Sequence, residues 1–256
     1  MREALIVGGA NGIGLAIATL LAEDERFGRI HIVDRTEVAE EHRNTKFVFT
    51  GFDLRAEDYS IFDTFNDVDT LIITAGFGRL AHFEDIEEQH IVDSFDVNSI
   101  APLRIIHHLY PRISAKEDFY CGVMGSIAGF LSSPLFAVYG ATKAALKIFI
   151  ESVNVELEMS GTTNRILNIS PGSIKGTAFY NGANDLSITR QLAAEILKHL
   201  WAKDDLFIPQ YDEVFREVLE RYHADCITLG QEITICRFDS RQSARALDVD
   251  ENGALV

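Results

Sequence analysis

The sequence predicts an α/β fold: a doubly wound parallel sheet of about seven strands with helices on both faces. Strand-like apolar runs alternate with helical patterns roughly every twenty to thirty residues, which is typical of a parallel sheet. A glycine-rich turn follows the first run and opens the first helix. Small or polar residues follow most of the predicted strands, and sheets of this kind bind their ligands at the carboxyl ends of the strands.

The composition limits the classes of protein that the chain can belong to. With 256 residues, 47% of them hydrophobic, we expect one domain over 1–256, in which 177–256 form a variable substrate lid and C-terminal part. The sequence has no run of 18 or more apolar residues, so we expect no membrane span. The formal charge of −16 argues against nucleic acid and anionic membranes as partners. Three scattered cysteines and a start without a signal sequence predict a reduced, cytoplasmic protein.

The elements of the first half follow from apolar runs and their periodicity. Predicted strands lie at 4–7, 29–33, 47–49 and 69–74. Predicted helices lie at 15–22, 56–65 and 87–110, and the last of these has a clear apolar side.

The second half is less regular. Strands are predicted at 119–124 and 165–169, and helices at 139–159, 189–201 and 212–223. The helix at 139–159 is apolar almost all round through Ile150, so we expect it to be buried within the subunit or at an interface. The last strand is either 206–209 or 227–238, and the polar tail from residue 239 is expected to be disordered at its end.

A turn that binds a dinucleotide phosphate is predicted at residues 8–14, because a strand, a glycine turn and a helix follow one another there. Asp34 ends the next strand about twenty residues later, which is the offset of a carboxylate that binds ribose hydroxyls. That carboxylate would repel a 2′-phosphate, so it favours NAD over NADP. Arg35 keeps NADP open as the alternative, while Asn11, standing where a basic residue would pair with a phosphate, again favours NAD.

A hydroxyl, a phenol and an amine lie between residues 126 and 143. Tyr139 and Lys143 are one helical turn apart, so their side chains leave the same face of a helix. A free phenol has a pKa near ~10, and a fixed ammonium nearby lowers it. Ser126 can donate a hydrogen bond to a substrate oxygen. The set suits moving a proton on or off a C–O oxygen.

In this order and at this spacing, the motifs resemble those of the short-chain dehydrogenase/reductase family. The resemblance covers about 4–177 and rests on Gly8-x-x-x-Gly12-Ile13-Gly14, Asp53, Ala75-Gly76, Asn98 with Pro102, Ser126, Tyr139-x-x-x-Lys143 and Pro171-Gly172. It implies a Rossmann-type fold, a nicotinamide cofactor and interconversion of a secondary alcohol and a ketone.

The resemblance also implies roles for the matching residues. Tyr139 would be the general acid or base, Lys143 would bind the nicotinamide ribose and lower the pKa of Tyr139, and Ser126 would orient the substrate oxygen. Asn98 would distort its helix and hold a water that joins Lys143 to solvent. Asp53 would contact the adenine. The implied cofactor-binding residues are Gly8, Asn11, Gly12, Ile13, Gly14, Asp34, Arg35, Asp53, Leu54, Ala75, Gly76, Tyr139, Lys143, Pro171, Gly172, Ile174 and Thr177, and no metal is implied.

The sequence departs from the family pattern in three places. Val7 stands where a threonine is usual, Ile73-Thr74 stands where two asparagines are usual, and Thr177 is shifted by one position. The first two are supports beneath the cofactor, so we expect an effect on its binding. The third concerns the contact with the carboxamide of the nicotinamide.

Other interpretations stay open at this point. The protein could be an isomerase or lyase that uses NAD transiently, or a cofactor-binding sensor without turnover. The resemblance implies a homodimer or homotetramer through the helices at 87–110 and 139–159. The segment with Phe130, Leu131, Leu135 and Phe136 is either a wall of the substrate pocket or core, while the substrate itself, a small alcohol or ketone, cannot be read from these residues.

Overall fold

The computed structural model describes residues 1–172, 186–204, 206–208, 232–237 and 240–245. The chain divides into two compact units, Met1–Ile208 and Pro209–Val256. A single domain over 1–256 stays a prediction. The predicted helix at 212–223 lies outside the described residues, as do Ile174 and Thr177.

The first unit is built on one parallel sheet. Its strands are β1 (Arg2–Val7), β2 (Phe27–Asp34), β3 (Phe47–Gly51), β4 (Thr70–Ile73), β5 (Tyr120–Met124), β6 (Ile166–Pro171) and β7 (Leu206–Ile208). They are ordered β3-β2-β1-β4-β5-β6-β7, and every neighbouring pair is parallel. This confirms the predicted doubly wound sheet of about seven strands.

Helices cover both faces of the sheet. They are α1 (Gly12–Glu23), α2 (Glu88–Phe95), α3 (Ala101–Ile113), α4 (Ala137–Ser160) and α5 (Leu186–Ala202). Successive residues of β1 point to opposite faces. Leu5 packs in the core beneath α3 and α4, and Ile6 packs in the core beneath α1 and α5. Because residues 4–7 of β1 are buried on both faces, they are apolar without alternation.

The strand order reverses at β1, which pairs with β2 on one side and β4 on the other. This is the topological switch point, where such sheets bind ligands. The Gly8 amide donates to the Val33 carbonyl at 2.8 Å, and the Thr74 amide donates to the Val7 carbonyl at 2.8 Å. The loops that leave β1, β2 and β4 are therefore held together at this edge.

The predicted helix at 56–65 is wrong. The structure has only a short 3-10 turn at Ser60–Thr64. Tyr59, Phe62 and Phe65 are all buried in one core cluster. Residues three apart share a face in a 3-10 turn, so this spacing places all three rings inward while the polar residues between them face solvent.

The helix predicted at 87–110 forms, but it contains a π-helical turn at Asp96–Ile100 and extends to Ile113. Its predicted end before Pro111 is therefore wrong. Leu109 and Ile113 lie on either side of the proline and are buried in the same core. Their burial offsets the hydrogen bond that the proline cannot make.

The seventh strand is the first of the two alternatives, since β7 pairs in parallel with β6. The other alternative, 227–238, contains β8 (Glu232–Arg237), which belongs to the second unit. It pairs antiparallel with β9 (Ser240–Arg245). The first part of the polar tail is a strand over 240–245, because β8 supplies its backbone hydrogen bonds without any need for an apolar pattern. The end of the tail, for which disorder stays a prediction, lies outside the described residues.

Candidate active site

The glycine turn after β1 is packed so closely that two of its glycines have no room for a side chain. A Cβ on Gly8, whose φ is +85°, would lie 2.5 Å from the Ala75 amide nitrogen. A Cβ on Gly14 would lie 2.2 Å from the Gly8 carbonyl oxygen. Gly12 differs, because it has a φ of +54° and its Cβ would meet nothing within 4 Å. The turn therefore leaves open space at the N-terminus of α1, where a phosphate group fits.

Thr74 supports this turn from below. Its hydroxyl donates to the carbonyls of Gly8, at 3.0 Å, and Val7, at 3.2 Å. Val7 itself is buried in the core. Thr74, which stands where the family usually has asparagine, thus still supports the turn by hydrogen bonds. Val7, which stands where threonine is usual, places an apolar side chain in the core.

Asp34 lies at the end of β2 with its carboxylate next to the glycine turn. One carboxylate oxygen accepts from the Ala10 amide at 3.1 Å. The other accepts from the amides of Arg35 at 2.7 Å and Thr36 at 3.4 Å. The carboxylate is therefore held by backbone donors. The Arg35 side chain is exposed.

Asp53 follows β3 and is bound by a neighbouring arginine. Both of its carboxylate oxygens accept from the Arg55 guanidinium, at 3.1 and 2.7 Å. These hydrogen bonds, with one from the Arg55 amide, lower the pKa of Asp53 to about 2. Leu54 is buried, and its carbonyl accepts from the Tyr59 hydroxyl at 2.5 Å. The predicted contact of Asp53 with the adenine stays a prediction.

Lys143 is buried on α4, with 3% of its surface exposed. Its ammonium donates to the Met124 carbonyl at 2.8 Å and lies 5.8 Å from the centroid of the Tyr139 ring. Burial lowers its pKa to about 8, because the charged form loses hydration. The amine is therefore still mostly protonated at neutral pH, beside the phenol.

Asn98 lies in the π-helical turn between α2 and α3 and is completely buried. Its carboxamide oxygen accepts from the Phe77 amide at 2.9 Å, and its nitrogen donates to the Phe77 carbonyl at 2.7 Å. A Cβ on Gly76 would lie 3.1 Å from this oxygen and 3.5 Å from the Lys143 ammonium. The Asn98 carboxamide and the Lys143 ammonium thus both lie close to Gly76. The helix that carries Asn98 is distorted at this residue, as the resemblance implies.

Ser126 follows β5 and starts a short 3-10 turn. Its hydroxyl oxygen accepts from the Ala128 amide at 3.1 Å, and the residue is 9% exposed. The turn lies directly on α4, because a Cβ on Gly129 would be 2.8 Å from the Lys143 carbonyl, and one on Gly140 would be 2.9 Å from the Ala128 carbonyl. The serine is therefore fixed relative to the helix that carries Tyr139 and Lys143.

The loop from 130 to 136 is not part of the core. Phe130 and Leu135 are exposed, and none of the four large apolar residues of this loop belongs to a core cluster. Leu135 has a positive φ of 68°, which is rare for leucine, and its carbonyl accepts from the Ala81 amide at 3.3 Å. The Phe136 ring lies 5.8 Å from that of Tyr139. This loop therefore stands beside the phenol.

The remaining cofactor positions are placed as follows. Asn11 caps α1 without a side-chain hydrogen bond, and Ile13 is half-buried against the core. Pro171 ends β6, and Gly172 follows it. Three contributors were not predicted from the sequence: the carbonyl of Met124, the backbone of Phe77, and Thr142. Only Thr142 had a usable signal, since a helical threonine can bond the carbonyl three or four residues earlier.

Within the part of the chain that the structure describes, no group of three or more His, Cys, Asp or Glu residues is arranged to hold a metal ion. Nor does any of its helices combine the length and the apolar character needed to cross a membrane.

Similar proteins were found by sequence. An uncharacterized oxidoreductase of Saccharomyces cerevisiae is 29% identical over 185 residues, which is 68% of this chain and 56% of that protein. A probable NADP-dependent dehydrogenase of Haemophilus influenzae is 29% identical over 189 residues, 70% of this chain and 73% of the other. This chain thus matches little more than half the length of the yeast relative.

Similarity of structure supports the same fold. The bulky-bulky ketone specific alcohol dehydrogenase from Comamonas testosteroni superposes with a TM-score of 0.69 at 22% identity, covering 86% of this chain and 91% of that one. The family model described as short chain dehydrogenase matches residues 2–186. That match spans the glycine turn, the buried Lys143 and the end of β6. The chain therefore belongs to the short chain dehydrogenase family.

Proposed function

We propose that the protein is an NAD-dependent oxidoreductase that interconverts a secondary alcohol and a ketone. The observation that carries the proposal is the convergence of Asn98 and Lys143 over Gly76, with the Tyr139 ring beside the ammonium. This cluster stands at the same sheet edge as the glycine turn. A group that moves a proton thus adjoins a site that fits a dinucleotide phosphate.

Each residue of the cluster has a part in this proposal. Tyr139 takes the proton from the alcohol or returns it to the ketone, and Ser126 donates a hydrogen bond to the same oxygen. The buried ammonium of Lys143 stabilises the phenolate because few waters screen it. Asn98 holds a water that connects Lys143 to solvent. When bound, the nicotinamide supplies the hydride acceptor or donor.

The coenzyme preference rests on Asp34. Its carboxylate is held by the Ala10, Arg35 and Thr36 amides at the place where the ribose of the adenosine half would lie. A 2′-phosphate there would put two negative groups at close range, so NAD is favoured. The relative from Haemophilus influenzae is named for NADP, which keeps NADP as the alternative coenzyme. In that case Arg35 would pair with the 2′-phosphate.

We also propose a homo-oligomer and an apolar substrate. Three large apolar residues of α4 are exposed, Ile148, Val155 and Met159, which suits a helix that packs against a second copy. Phe136, whose ring lies 5.8 Å from that of Tyr139, offers an apolar wall beside the phenol for a substituent of the substrate.

The experiment that tests the function is a screen of secondary alcohols with NAD and with NADP, followed by absorbance at the reduced-nicotinamide band. Net reduction with at least one alcohol, faster with NAD, is the expected result. Conversion of a substrate without net reduction would indicate an isomerase or lyase. Tight NAD binding with no conversion of any alcohol or of the matching ketones with NADH would indicate a sensor.

A further inference from the structure

We propose that Thr142 is a positioning residue that ties the Asn98 carboxamide to the turn of α4 that carries Tyr139. The inference rests on the proposed function, in which Tyr139 and Asn98 handle the proton. Thr142 lies between Tyr139 and Lys143 in the chain and is completely buried. Its hydrogen-bonding partners outside α4, Asn98 and Ser99, both lie in the π-helical turn.

The direction of its hydrogen bonds defines this role. The single hydroxyl proton goes to the Tyr139 carbonyl, at 2.7 Å. The hydroxyl oxygen is then an acceptor, and the Asn98 amide nitrogen donates to it at 3.2 Å. One hydroxyl therefore connects the backbone of the proposed acid–base residue with the side chain of the proposed relay residue.

Within the described residues the carboxamide has three hydrogen bonds, and of these only this one reaches α4. The other two go to the amide and carbonyl of Phe77, at 2.9 and 2.7 Å. A second link joins the same elements, because the Ser99 hydroxyl donates to the Thr142 carbonyl at 2.8 Å. With that backbone link left in place, removal of the Thr142 hydroxyl should loosen the carboxamide without separating the helices.

The consequence concerns proton transfer. The Asn98 oxygen and the Lys143 ammonium both lie close to the space above Gly76, at 3.1 and 3.5 Å from the position of a Cβ there. A carboxamide that moves away from α4 changes the contacts around the Lys143 ammonium. It should therefore change the pH at which the groups that move the proton are protonated. Cofactor binding at the glycine turn should not change.

The test compares Thr142→Val, which keeps the shape of the side chain and loses the hydroxyl, with Thr142→Ser, which keeps the hydroxyl. Thr19→Val is the matched control, since the Thr19 hydroxyl donates to the Leu15 carbonyl within its own helix and bonds no other helix in the part of the chain that the structure describes. Three quantities are measured: kcat for the best alcohol of the screen as a function of pH, KM for NAD, and hydrogen exchange of the Phe77 amide.

In Thr142→Val, we expect kcat to fall about tenfold, the midpoint of its pH profile to move by about 0.5 pH unit or more, and KM for NAD to change less than about twofold. The Phe77 amide should exchange about tenfold faster. Thr142→Ser and Thr19→Val should match the wild type in pH profile and exchange.

A wild-type pH profile together with wild-type Phe77 exchange in Thr142→Val would overturn the role of Thr142, even if kcat fell. Loss of these properties in Thr142→Ser as well would also overturn it, because the hydroxyl is then not the cause. If the wild type oxidises no alcohol, the proposed function fails on its own. The Phe77 exchange would then still decide whether Thr142 holds the carboxamide.

Discussion

The ammonium nitrogen of Lys143 donates a hydrogen bond to the Met124 carbonyl oxygen at 2.8 Å, which is the hydrogen bond that the ammonium makes within the described residues. No carboxylate of that part of the chain forms an ion pair with it. Hydrogen bonding to one carbonyl offsets only part of the loss of hydration, so burial lowers the pKa of Lys143 to about 8. A charge kept buried at this cost points to a functional role for the amine.

The first prediction is that Lys143→Met increases stability at neutral pH. The pKa of Lys143 is lower in the folded protein, about 8, than its ordinary value of 10.5, so the unfolded chain binds the proton more tightly. This difference costs roughly 3 kcal/mol at pH 7. After loss of the hydrogen bond to Met124, we expect Lys143→Met to raise the free energy of unfolding by about 1–2 kcal/mol.

The pH dependence gives the control for this prediction. Below about pH 8 the amine is protonated in both states, and the full cost is present. As the pH rises from about 8 to 10.5, the folded protein loses the proton first, and the wild type gains stability relative to the variant. Urea unfolding at pH 7, 9 and 10.5 should show the advantage of Lys143→Met shrinking, and a constant difference across this range would contradict the account.

The second prediction separates two glycines of the turn after β1. In Gly14→Ala the new Cβ would lie 2.2 Å from a backbone oxygen, so we expect a loss of about 3 kcal/mol in stability. In Gly12→Ala it would meet nothing within 4 Å, so only its φ of +54° costs stability, about 1 kcal/mol. The Gly12→Ala protein should be folded.

Its cofactor binding should nevertheless fail, because the open space above Gly12 is where the phosphates are expected. Titration of NADH fluorescence should give a Kd at least about tenfold weaker in Gly12→Ala than in the wild type. Thermal unfolding without cofactor provides the control. Wild-type affinity for NADH in a folded Gly12→Ala protein would show that the phosphates bind elsewhere.

Much of the fold could be predicted because its signals are local. A strand, a glycine turn and a helix in succession indicate the first βα unit, and the carboxyl ends of parallel strands bring Asp34, Gly76 and Ser126 to one edge. The 3-10 turn at Ser60–Thr64 could not be told from an α-helix by its polarity. Its buried rings, at positions 59, 62 and 65, recur every third residue, and a mostly polar segment with this spacing also suits a surface α-helix. The strand at Ser240–Arg245 has no apolar alternation, so only its pairing with Glu232–Arg237 shows it.

The sequence predicts the side chains of the candidate site but not the backbone groups that bind them. Spacing alone places Tyr139 and Lys143 on one helical face. Nothing in the sequence shows that the Met124 carbonyl accepts from Lys143, or that Phe77 binds both ends of the Asn98 carboxamide. Contacts between a side chain and a distant backbone group depend on how the elements pack, which residue types do not record.

The third prediction concerns the coenzyme. Asp34→Ala removes the carboxylate that would repel a 2′-phosphate, so kcat/KM for NADP should rise relative to that for NAD by about tenfold or more. Arg35 remains in this variant to pair with the phosphate. Glu37→Ala, a nearby exposed acid on the same loop, is the control for net charge. An unchanged ratio of the two coenzymes in Asp34→Ala would defeat the assignment.

The most direct test of the proposed chemistry is the comparison of Tyr139→Phe with the wild type in the oxidation of the best alcohol by NAD. The variant keeps the ring and loses only the group that moves the proton. Tyr110→Phe, on the other long helix, is the matched control and should keep wild-type turnover. We expect Tyr139→Phe to bind NADH as the wild type does and to lose about 10²–10⁴-fold in kcat. Full turnover by Tyr139→Phe would contradict the assignment of Tyr139 as the general acid and base.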